Sequence, residues 1–247
     1  AAEFLAKNER EGKSTATMSK KRWLVGLALP ELGSRPIAEI TASEILVPLR
    51  KVEGLGKYET AGRLRAVISQ VFRYAIATAR AQNDPTFGLR GALIAPKATH
   101  RAALTDWDSF AELIRAAWVY SGSVETRIAL KLMALLYPRP GELRQAEWQE
   151  FDLDKGVWII PEERAKMRRA HKKPLPALAI EALRELHRHT GNRRLVFPSP
   201  QSAERPLSEN TMNLALRRMG FGKDQATSHG FRASASTLLN ESGLWPA

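Results

Sequence analysis

Residues 228–237 read Ser-His-Gly-Phe-Arg-Ala-Ser-Ala-Ser-Thr, and this stretch decides how the rest of the chain is interpreted. It predicts a turn of helix on which His229 and Arg232 stand three residues apart. Side chains at this spacing share a helical face, so a proton-transferring imidazole and an anion-binding guanidinium can address one phosphate together. A second arginine, Arg139, lies far upstream and is followed by Pro-Gly-Glu. In a basic chain, this pair of arginines favours phosphoryl chemistry on nucleic acid.

The charge of the chain favours a polyanionic partner. Its 247 residues include 38 Lys and Arg against 26 Asp and Glu, a formal net charge of +12. Contacts between cationic side chains and phosphates release condensed counterions, so such an excess favours binding to DNA or RNA. Charge alone leaves open a basic protein with no nucleic-acid partner. The length is sufficient for two domains with separate cores.

Composition also excludes several classes of protein. The sequence contains no cysteine, so disulfides and thiolate metal sites are excluded. Its five histidines show no metal-binding spacing such as His-Glu-x-x-His. No apolar run approaches the ~18 residues that span a bilayer, and the polar first residues do not read as a signal peptide. These observations predict a cytoplasmic protein without a membrane segment or a cofactor.

Residues 1–90 predict a small domain of four helices. The clearest helix carries an apolar stripe at helical spacing, and Asn83-Asp84-Pro85 is expected to end it, because the position before proline disfavours the α conformation. Thr41 and Glu44 predict a capping box at the start of another helix. Residues 3–11 and 15–29 predict the remaining two. The apolar stripe consists of Leu64, Val67, Ile68, Val71, Phe72, Ala75 and Ile76.

Residues 91–104 predict a linker, because Gly, Pro and Lys occur there without periodicity. Residues 105–247 then predict a second domain that is mainly α-helical around a small antiparallel sheet. Asp106 is the expected cap of a helix that runs to about Tyr120. The expected elements after it are a strand over 157–161, a hairpin arm over 168–175, and helices over 177–189, 208–219 and 227–242.

Three separate boxes resemble the tyrosine recombinases in order and spacing. The first motif is Arg139-Pro140-Gly141-Glu142-Leu143-Arg144, followed by Glu147-Trp148. The second is Lys166, followed by Arg168-Arg169-Ala170-His171 and Pro174-Leu175. The third is His229-Gly230-Phe231-Arg232. The runs at 71–75 and 237–241 are similar to the satellite-phage type of prophage integrase. The resemblance covers residues 1–247 and is more specific in the second half. It implies a helical core-site-binding domain and a catalytic domain that close around duplex DNA as a clamp.

The resemblance also implies roles for individual residues. Arg139 and Arg232 are similar to the two catalytic arginines, which would grip the non-bridging oxygens of the scissile phosphate. Lys166 is similar to the lysine that protonates the departing 5′ oxygen, with a plain phosphate contact as the alternative. His229 is similar to the histidine that assists proton transfer, with a helix cap as the alternative. Glu142 would orient Arg139.

Several further cations are expected to contact DNA outside the reacting centre. They are Arg63, Arg65, Arg73, Arg168, Arg169 and His171. Trp148 and Trp158 are expected to pack in the core. Two positions depart from the pattern of the satellite-phage integrases, Pro138 and Lys173, which stand where that group usually has apolar residues; we expect these departures to affect local packing.

In the family, the nucleophilic tyrosine follows the His-x-x-Arg box by some tens of residues. All four tyrosines of this sequence precede the box, and we interpret them as structural: Tyr58, Tyr74, Tyr120 and Tyr137. All four are expected to lie on helices. The expectation is therefore a fragment that lacks the nucleophile, and also the small arm-site-binding domain that such integrases often carry.

The function implied by the resemblance is site-specific integration and excision of a mobile element through a 3′-phosphotyrosyl intermediate. Such a covalent intermediate conserves the energy of the broken bond, so neither ATP nor a metal is implied. The implied partners are att-site DNA, other copies in a tetramer, and an excision factor or a host DNA-bending protein, in a nucleoid-associated bacterial setting. The alternatives are a non-catalytic DNA-binding module and a type IB topoisomerase-like enzyme.

Overall fold

The computed structural model describes residues 1–96, 102–165 and 169–243. The chain divides into two compact units, Ala1–Thr99 and His100–Ala247, and each has its own apolar core. Both units are mainly helical, and the second carries two small antiparallel sheets. The predicted fold class is thus confirmed. The division between the units falls within the predicted linker.

The first unit contains the four predicted helices. They are α1 Ala2–Arg10, α2 Thr15–Leu32, α3 Ala42–Gly54 and α4 Tyr58–Ala77. The predicted capping box opens α3, where the Thr41 N–H donates to Glu44 Oε2 at 2.8 Å and the Glu44 N–H donates to Thr41 Oγ1 at 3.3 Å. Two of the backbone donors at this helix end are therefore satisfied locally, as the sequence indicates.

Helix α4 buries most of its apolar stripe against the neighbouring helices, but Ile76, one residue before the helix ends, is exposed. Leu64, Val67, Ile68 and Phe72 are all buried and share one core with residues of α2 and α3. Burial of a side chain of this size contributes about 1.5–3 kcal/mol each. The stripe therefore holds the helical unit together, as its spacing predicts.

The predicted end of α4 was wrong, because the helix stops at Ala77 instead of continuing to Asn83. Ala79 adopts a left-handed conformation with φ 57°. The N–H of Ala79 donates to Ile76 O at 3.0 Å, and the N–H of Arg80 donates to Ala75 O at 2.8 Å. These bonds form the Schellman motif that closes many helices, usually with glycine at the left-handed position. The sequence has alanine there, so the signal is missing.

The chain after α4 continues to pack against the first unit beyond residue 90. Leu89 is buried, and Ala92 and Leu93 pack against the same core. The Ile94 N–H then donates to a carboxylate oxygen of Glu53 at 2.7 Å. The structure thus places residues 91–94, which were predicted as linker, with the first unit.

The second unit alternates helices with short strands. Its helices are α5 Trp107–Val119, α6 Val124–Leu136, α7 Pro140–Arg144, α8 Ala177–Thr190, α9 Thr211–Arg218 and α10 Gly230–Glu241. Its strands are β1 Phe151–Asp152, β2 Val157–Ile160, β3 His171–Pro174, β4 Pro198–Ser199 and β5 Ser202–Pro206. Short 3₁₀ turns occur at Ile37–Glu39 and Phe87–Leu89 in the first unit and at Trp148–Glu150 in the second.

Strands β1, β2 and β3 form one antiparallel sheet in that order. Strand β3 pairs with β2 from Val157 opposite Pro174 to Ile160 opposite His171, which confirms the predicted hairpin. Trp158 of β2 is fully buried and stacks on Phe151 at 5.1 Å between ring centroids. The sheet is thereby fixed to the core of the unit.

Within the described ranges, no helix has both the length and the apolar character needed to cross a bilayer.

Candidate active site

The site begins at the connection between α6 and α7. Helix α6 ends at Tyr137, which adopts a left-handed conformation with φ 46° and ψ 46°. Pro138 follows, and a residue before proline is disfavoured in the right-handed α conformation. A non-glycine residue in the left-handed region costs on the order of 1–2 kcal/mol, so the surrounding contacts must hold this turn in place. Arg139 follows this turn and is the residue directly before α7.

Arg139 is fixed by the short helix that follows it. Pro140 occupies the first helical position, where its missing N–H leaves no donor unsatisfied. Glu142 is buried and accepts two hydrogen bonds from Arg139, one from the backbone N–H at 3.2 Å and one from a guanidinium nitrogen at 2.8 Å. The structure thus places Glu142 directly against Arg139.

The backbone carbonyls of the turn bind two further cations. Arg232, in the first turn of α10, donates to Tyr137 O at 2.5 Å. Lys173 of β3 donates from its Nζ to Leu136 O at 3.3 Å. Three elements that are distant in sequence therefore meet at one turn. Because each carbonyl bond fixes a long side chain, the cationic groups are held in position before any ligand arrives.

These residues line a cavity of about 520 Å³. Among the described residues of its lining, Glu142 is the one carboxylate, and it already pairs with Arg139. The cations of the lining are Arg139, Arg169, Lys173 and Arg232, and His171 also lines it. A cavity with this excess of positive charge and of N–H donors is suited to an oxyanion.

His229 shares a cavity with Arg139. It is exposed at the start of α10 and lines a second cavity, of about 430 Å³, which Arg139 and Glu142 also line. The preceding residue, Ser228, is buried, and its N–H donates to Asn213 Oδ1 at 2.8 Å. Arg139 and Glu142 therefore line both the cavity that His229 lines and the cavity that Arg232 lines. That His229 and Arg232 address one phosphate stays a prediction.

The two intervening residues of the box have structural roles. Phe231 is fully buried and meets Phe110 edge to face at 6.4 Å between centroids. A Cβ at Gly230 would lie 2.3 Å from Ala102 O, so any other residue here would push α10 away from the chain beside it. The glycine thus permits close packing, and the phenylalanine anchors the helix whose next residue is Arg232.

The hairpin next to the site is anchored by a buried group of polar side chains that no pattern in the sequence indicates. Glu150 is buried and accepts from Trp158 Nε1 at 3.0 Å, and Arg164 pairs with the same carboxylate. Arg164 also donates to Glu142 O at 3.1 Å. Burial raises the pKa of Glu150, while its bonds with Trp158 and Arg164 act in the opposite direction. Arg164 stood in a basic run and gave no signal of this role.

Lys166 and Arg168 lie outside the described residues. The predicted phosphate contacts Arg169 and His171 line the cavity of about 520 Å³ together with Arg139 and Arg232. Among the described residues, no group of three or more His, Asp or Glu could hold a metal ion.

The arginines of α4 do not form one surface. Arg63 is exposed and pairs with Glu59 at 2.7 Å, whereas Arg65 is partly buried and reaches Thr86 O at 3.5 Å. Residues two apart on a helix are separated by about 200° around its axis, so the side chains of Arg63 and Arg65 lie on opposite sides of α4. Arg73 is exposed in the last third of the helix. At most two of the three arginines can therefore face one DNA surface from this helix.

Sequence comparison places both units in known families. Residues 1–92 match the phage integrase central domain, and residues 105–246 match the phage integrase family. The chain belongs to the phage integrase family. It is 38% identical over 237 residues to the integrase of Enterobacteria phage P4, a match that covers 91% of this chain and 54% of that protein. It is 36% identical to the putative protein IntB of Escherichia coli, covering 87% of this chain and 57% of that protein.

The chain thus spans about half the length of the curated relatives that it matches. Solved structures show the same fold. A lambda integrase dimer bound to a core site superposes with a TM-score of 0.70 at 22% identity, covering 98% of this chain and 87% of that one. The Tn1549 transposon integrase bound to transposon end DNA gives a TM-score of 0.72 at 15% identity, with coverage of 98% and 87%. The resemblance to prophage integrases is confirmed.

Proposed function

We propose that the chain is the core-site-binding and catalytic part of a site-specific DNA recombinase that integrates and excises a mobile element. The observation that carries this proposal is the cavity in which Arg139 and Arg232 meet, in a chain of the phage integrase family. Such a recombinase breaks DNA by the attack of a tyrosine on a phosphate, which leaves a 3′-phosphotyrosyl bond and a free 5′-hydroxyl.

Arg139 and Arg232 would stabilise the charge that develops on the non-bridging oxygens of that phosphate. A guanidinium stays charged at every working pH and presents a planar fork of donors, which suits two oxygens on one phosphorus. Glu142 holds Arg139 from behind, so the fork is oriented before DNA binds. Preorganised donors of this kind need no reorganisation as the transition state forms.

Lys166 and His229 would move protons in the same reaction. In the sequence, Lys166 stands between the residues of β2 and those of β3. Arg164, two residues before it, is bonded to the buried Glu150 and to Glu142 O. We assign to Lys166 the protonation of the departing 5′ oxygen. His229 stands beside Arg139 in the second cavity and would assist proton transfer at the nucleophile.

The contacts of Tyr74, Tyr120 and Tyr137 support structural roles for these three tyrosines. Tyr74 packs against Phe4 at 6.2 Å between ring centroids. Tyr120 and Tyr137 pack against the core of the second unit. The latter two close α5 and α6 and do not lie within them, contrary to the sequence prediction. None of the four tyrosines of the sequence lines either cavity around Arg139 among the described residues. The attacking tyrosine would be a different residue.

Double-stranded DNA with att sites would be the principal partner. The lambda integrase structures with this fold are a dimer on a core site and a tetramer on a Holliday junction. We propose the same kind of self-association on DNA for the intact protein, with an excision factor or a host DNA-bending protein as accessory partners. Arg73, Arg169 and His171 would contribute phosphate contacts, with Arg168 and one of the pair Arg63 and Arg65 as further contacts.

DNA binding by this chain is expected to weaken steeply with salt. For about 6 phosphate contacts, the logarithm of the association constant should fall with a slope near −5 against the logarithm of salt concentration. Fluorescence anisotropy with a labelled duplex between 50 and 300 mM salt measures this slope. Arg73→Ala and Arg169→Ala should each reduce its magnitude by about 0.9. A slope near zero for the unmodified chain would contradict the proposal.

Limited proteolysis is expected to separate the two units. Trypsin should cut first between about residues 95 and 104, a stretch that contains Lys97 and Arg101. Cleavage before this stretch is not expected, because residues 92–94 pack against or hydrogen-bond to the first unit. The products should be a helical fragment of the first unit and a larger fragment of the second, identified by mass spectrometry. First cleavage inside α4 or α6 would show that the units do not fold separately.

A further inference from the structure

Lys173 occupies a position that the proposed chemistry does not yet use. In β3, side chains alternate between the two faces of the sheet. Lys173 is partly buried and lines the cavity with Arg139 and Arg232, whereas Lys172 is exposed and does not line it. Pairing with β2, where Lys173 lies opposite Trp158, fixes this register. The chain therefore presents one lysine to the cavity and its neighbour to the outside.

In the protein without a bound ligand, the surroundings of Lys173 disfavour the charged form of its amino group. Burial lowers the pKa of Lys173, and the nearby guanidiniums of Arg232 and Arg139 lower it further, against the opposing effect of Glu142. Glu142 is already engaged with Arg139 at 2.8 Å. Among the described residues, Lys173 has one acceptor, Leu136 O at 3.3 Å. An ammonium has three N–H donors, so donors remain for a ligand.

We propose that Lys173 is a third phosphate-facing cation of this site, which joins Arg139 and Arg232 in holding one phosphate group of bound DNA. This inference rests on the function proposed above. Its basis is geometric: the three cationic groups line one cavity, and two of them are held by consecutive carbonyls of the same turn. A phosphate in this cavity would supply the negative charge that Lys173 and Arg232 lack in the protein alone, where Glu142 is paired with Arg139.

Proton linkage provides a signature of this role. The charged groups that face Lys173 are Arg139 and Glu142 from the α7 segment, Arg232 from α10, and Arg169 and His171 from the β3 side. A bound phosphate would raise the pKa of the ammonium, which is lowered in the free protein. DNA binding at alkaline pH would then take up a proton, so affinity falls as pH rises through the free-protein pKa, by up to about tenfold per pH unit for one proton.

The test compares Lys173→Met with Lys172→Met. Both variants remove one charge and keep a stem of similar length, but only the first acts inside the cavity. Anisotropy titrations with a labelled duplex at pH 7.5, 8.5 and 9.5 give the affinities; this range lies above the one in which histidines ordinarily titrate. Lys173→Met should bind at least about fivefold more weakly at pH 7.5 and lose most of the pH dependence, with a salt slope smaller by about 0.9. Lys172→Met should retain the pH dependence.

Thermal unfolding separates this role from a structural one. Replacing a partly buried, unpaired cation with an apolar side chain is expected to leave the melting temperature unchanged or raise it. A lower melting temperature with unchanged DNA affinity would overturn the inference and show that the bond to Leu136 O is structural. If the unmodified chain binds DNA and both variants behave alike, the Lys173 inference fails alone. If the unmodified chain shows no salt-dependent DNA binding, the proposed function fails as well.

Discussion

Arg232→Ala in the intact protein is expected to slow DNA strand cleavage by about 10³-fold or more, by analogy with arginines that serve other phosphoryl transfers. The reason is that the Arg232 guanidinium is already fixed by Tyr137 O and lines the cavity with Arg139. It would stabilise charge that is larger in the transition state than in the bound substrate. DNA affinity should change much less, because one phosphate contact among several is lost.

The measurement is the rate of covalent protein–DNA adduct formation on a nicked att-site substrate, together with the dissociation constant. Arg184→Ala is the matched control, because Arg184 is exposed on α8 and pairs only weakly with Asp154, at 3.5 Å. It removes the same charge from the same unit and should leave cleavage within about twofold of the unmodified rate. Arg139→Ala should have a similar effect on cleavage to Arg232→Ala. Equal losses of binding and of cleavage would mean that these arginines only hold DNA.

Arg164→Met is expected to destabilise the second unit by about 3–5 kcal/mol at pH 8, because it leaves the buried Glu150 carboxylate without its cationic partner. Burial already raises the pKa of Glu150 in the unmodified protein, and Arg164 opposes that effect. Removing Arg164 therefore raises the pKa further. A carboxyl group whose folded-state pKa exceeds its unfolded value binds more protons when folded, so stability falls as pH rises through that window.

The loss should accordingly be smaller at pH 5 than at pH 8. Urea unfolding followed by circular dichroism at pH 5.0, 6.5 and 8.0 measures it. In the double variant Glu150→Gln/Arg164→Met, no carboxyl group remains to titrate at this position, so the difference between pH 5 and pH 8 should largely disappear. A loss that is the same at every pH would show that Arg164 acts through packing or through its bond to Glu142 O.

The expected effects of replacing Arg232 and Arg164 have a common origin in the network of charged groups around the cavity. Arg164 links the buried carboxylate of Glu150 to the backbone of Glu142, and Glu142 in turn orients Arg139. On the other side, the carbonyls of Leu136 and Tyr137 hold Lys173 and Arg232. The site therefore concentrates cations around a cavity and fixes each from behind. Like charges held this close are unfavourable until an anion enters, which is a reason for a phosphate to bind tightly there.

The sequence by itself was sufficient for the features that depend on local patterns. The capping box of Thr41 and Glu44 acts within one helical turn and occurs as predicted. The apolar stripe of α4 repeats at helical spacing and is mostly buried, although Ile76 at its end is exposed. The His-Gly-Phe-Arg box and the Arg-Pro-Gly-Glu box were sufficient to indicate the family. The box residues Gly230 and Phe231 pack α10 closely, which is why they accompany the arginine.

Only the tertiary structure decided where the cations of the site lie. Arg232 reaches a carbonyl 95 residues away, and Lys173 reaches one 37 residues away. The two carbonyls lie at the C-terminal end of α6, where helix carbonyls lack intrahelical partners, and this end is marked by a left-handed Tyr137 where a glycine would be usual. The same is true of Ala79, whose conformation ends α4 early. Local periodicity reports which face of an element is apolar; contacts between distant backbone carbonyls and side chains arise only when the elements pack, so Lys173 and Arg164 become visible as site residues in the folded chain alone.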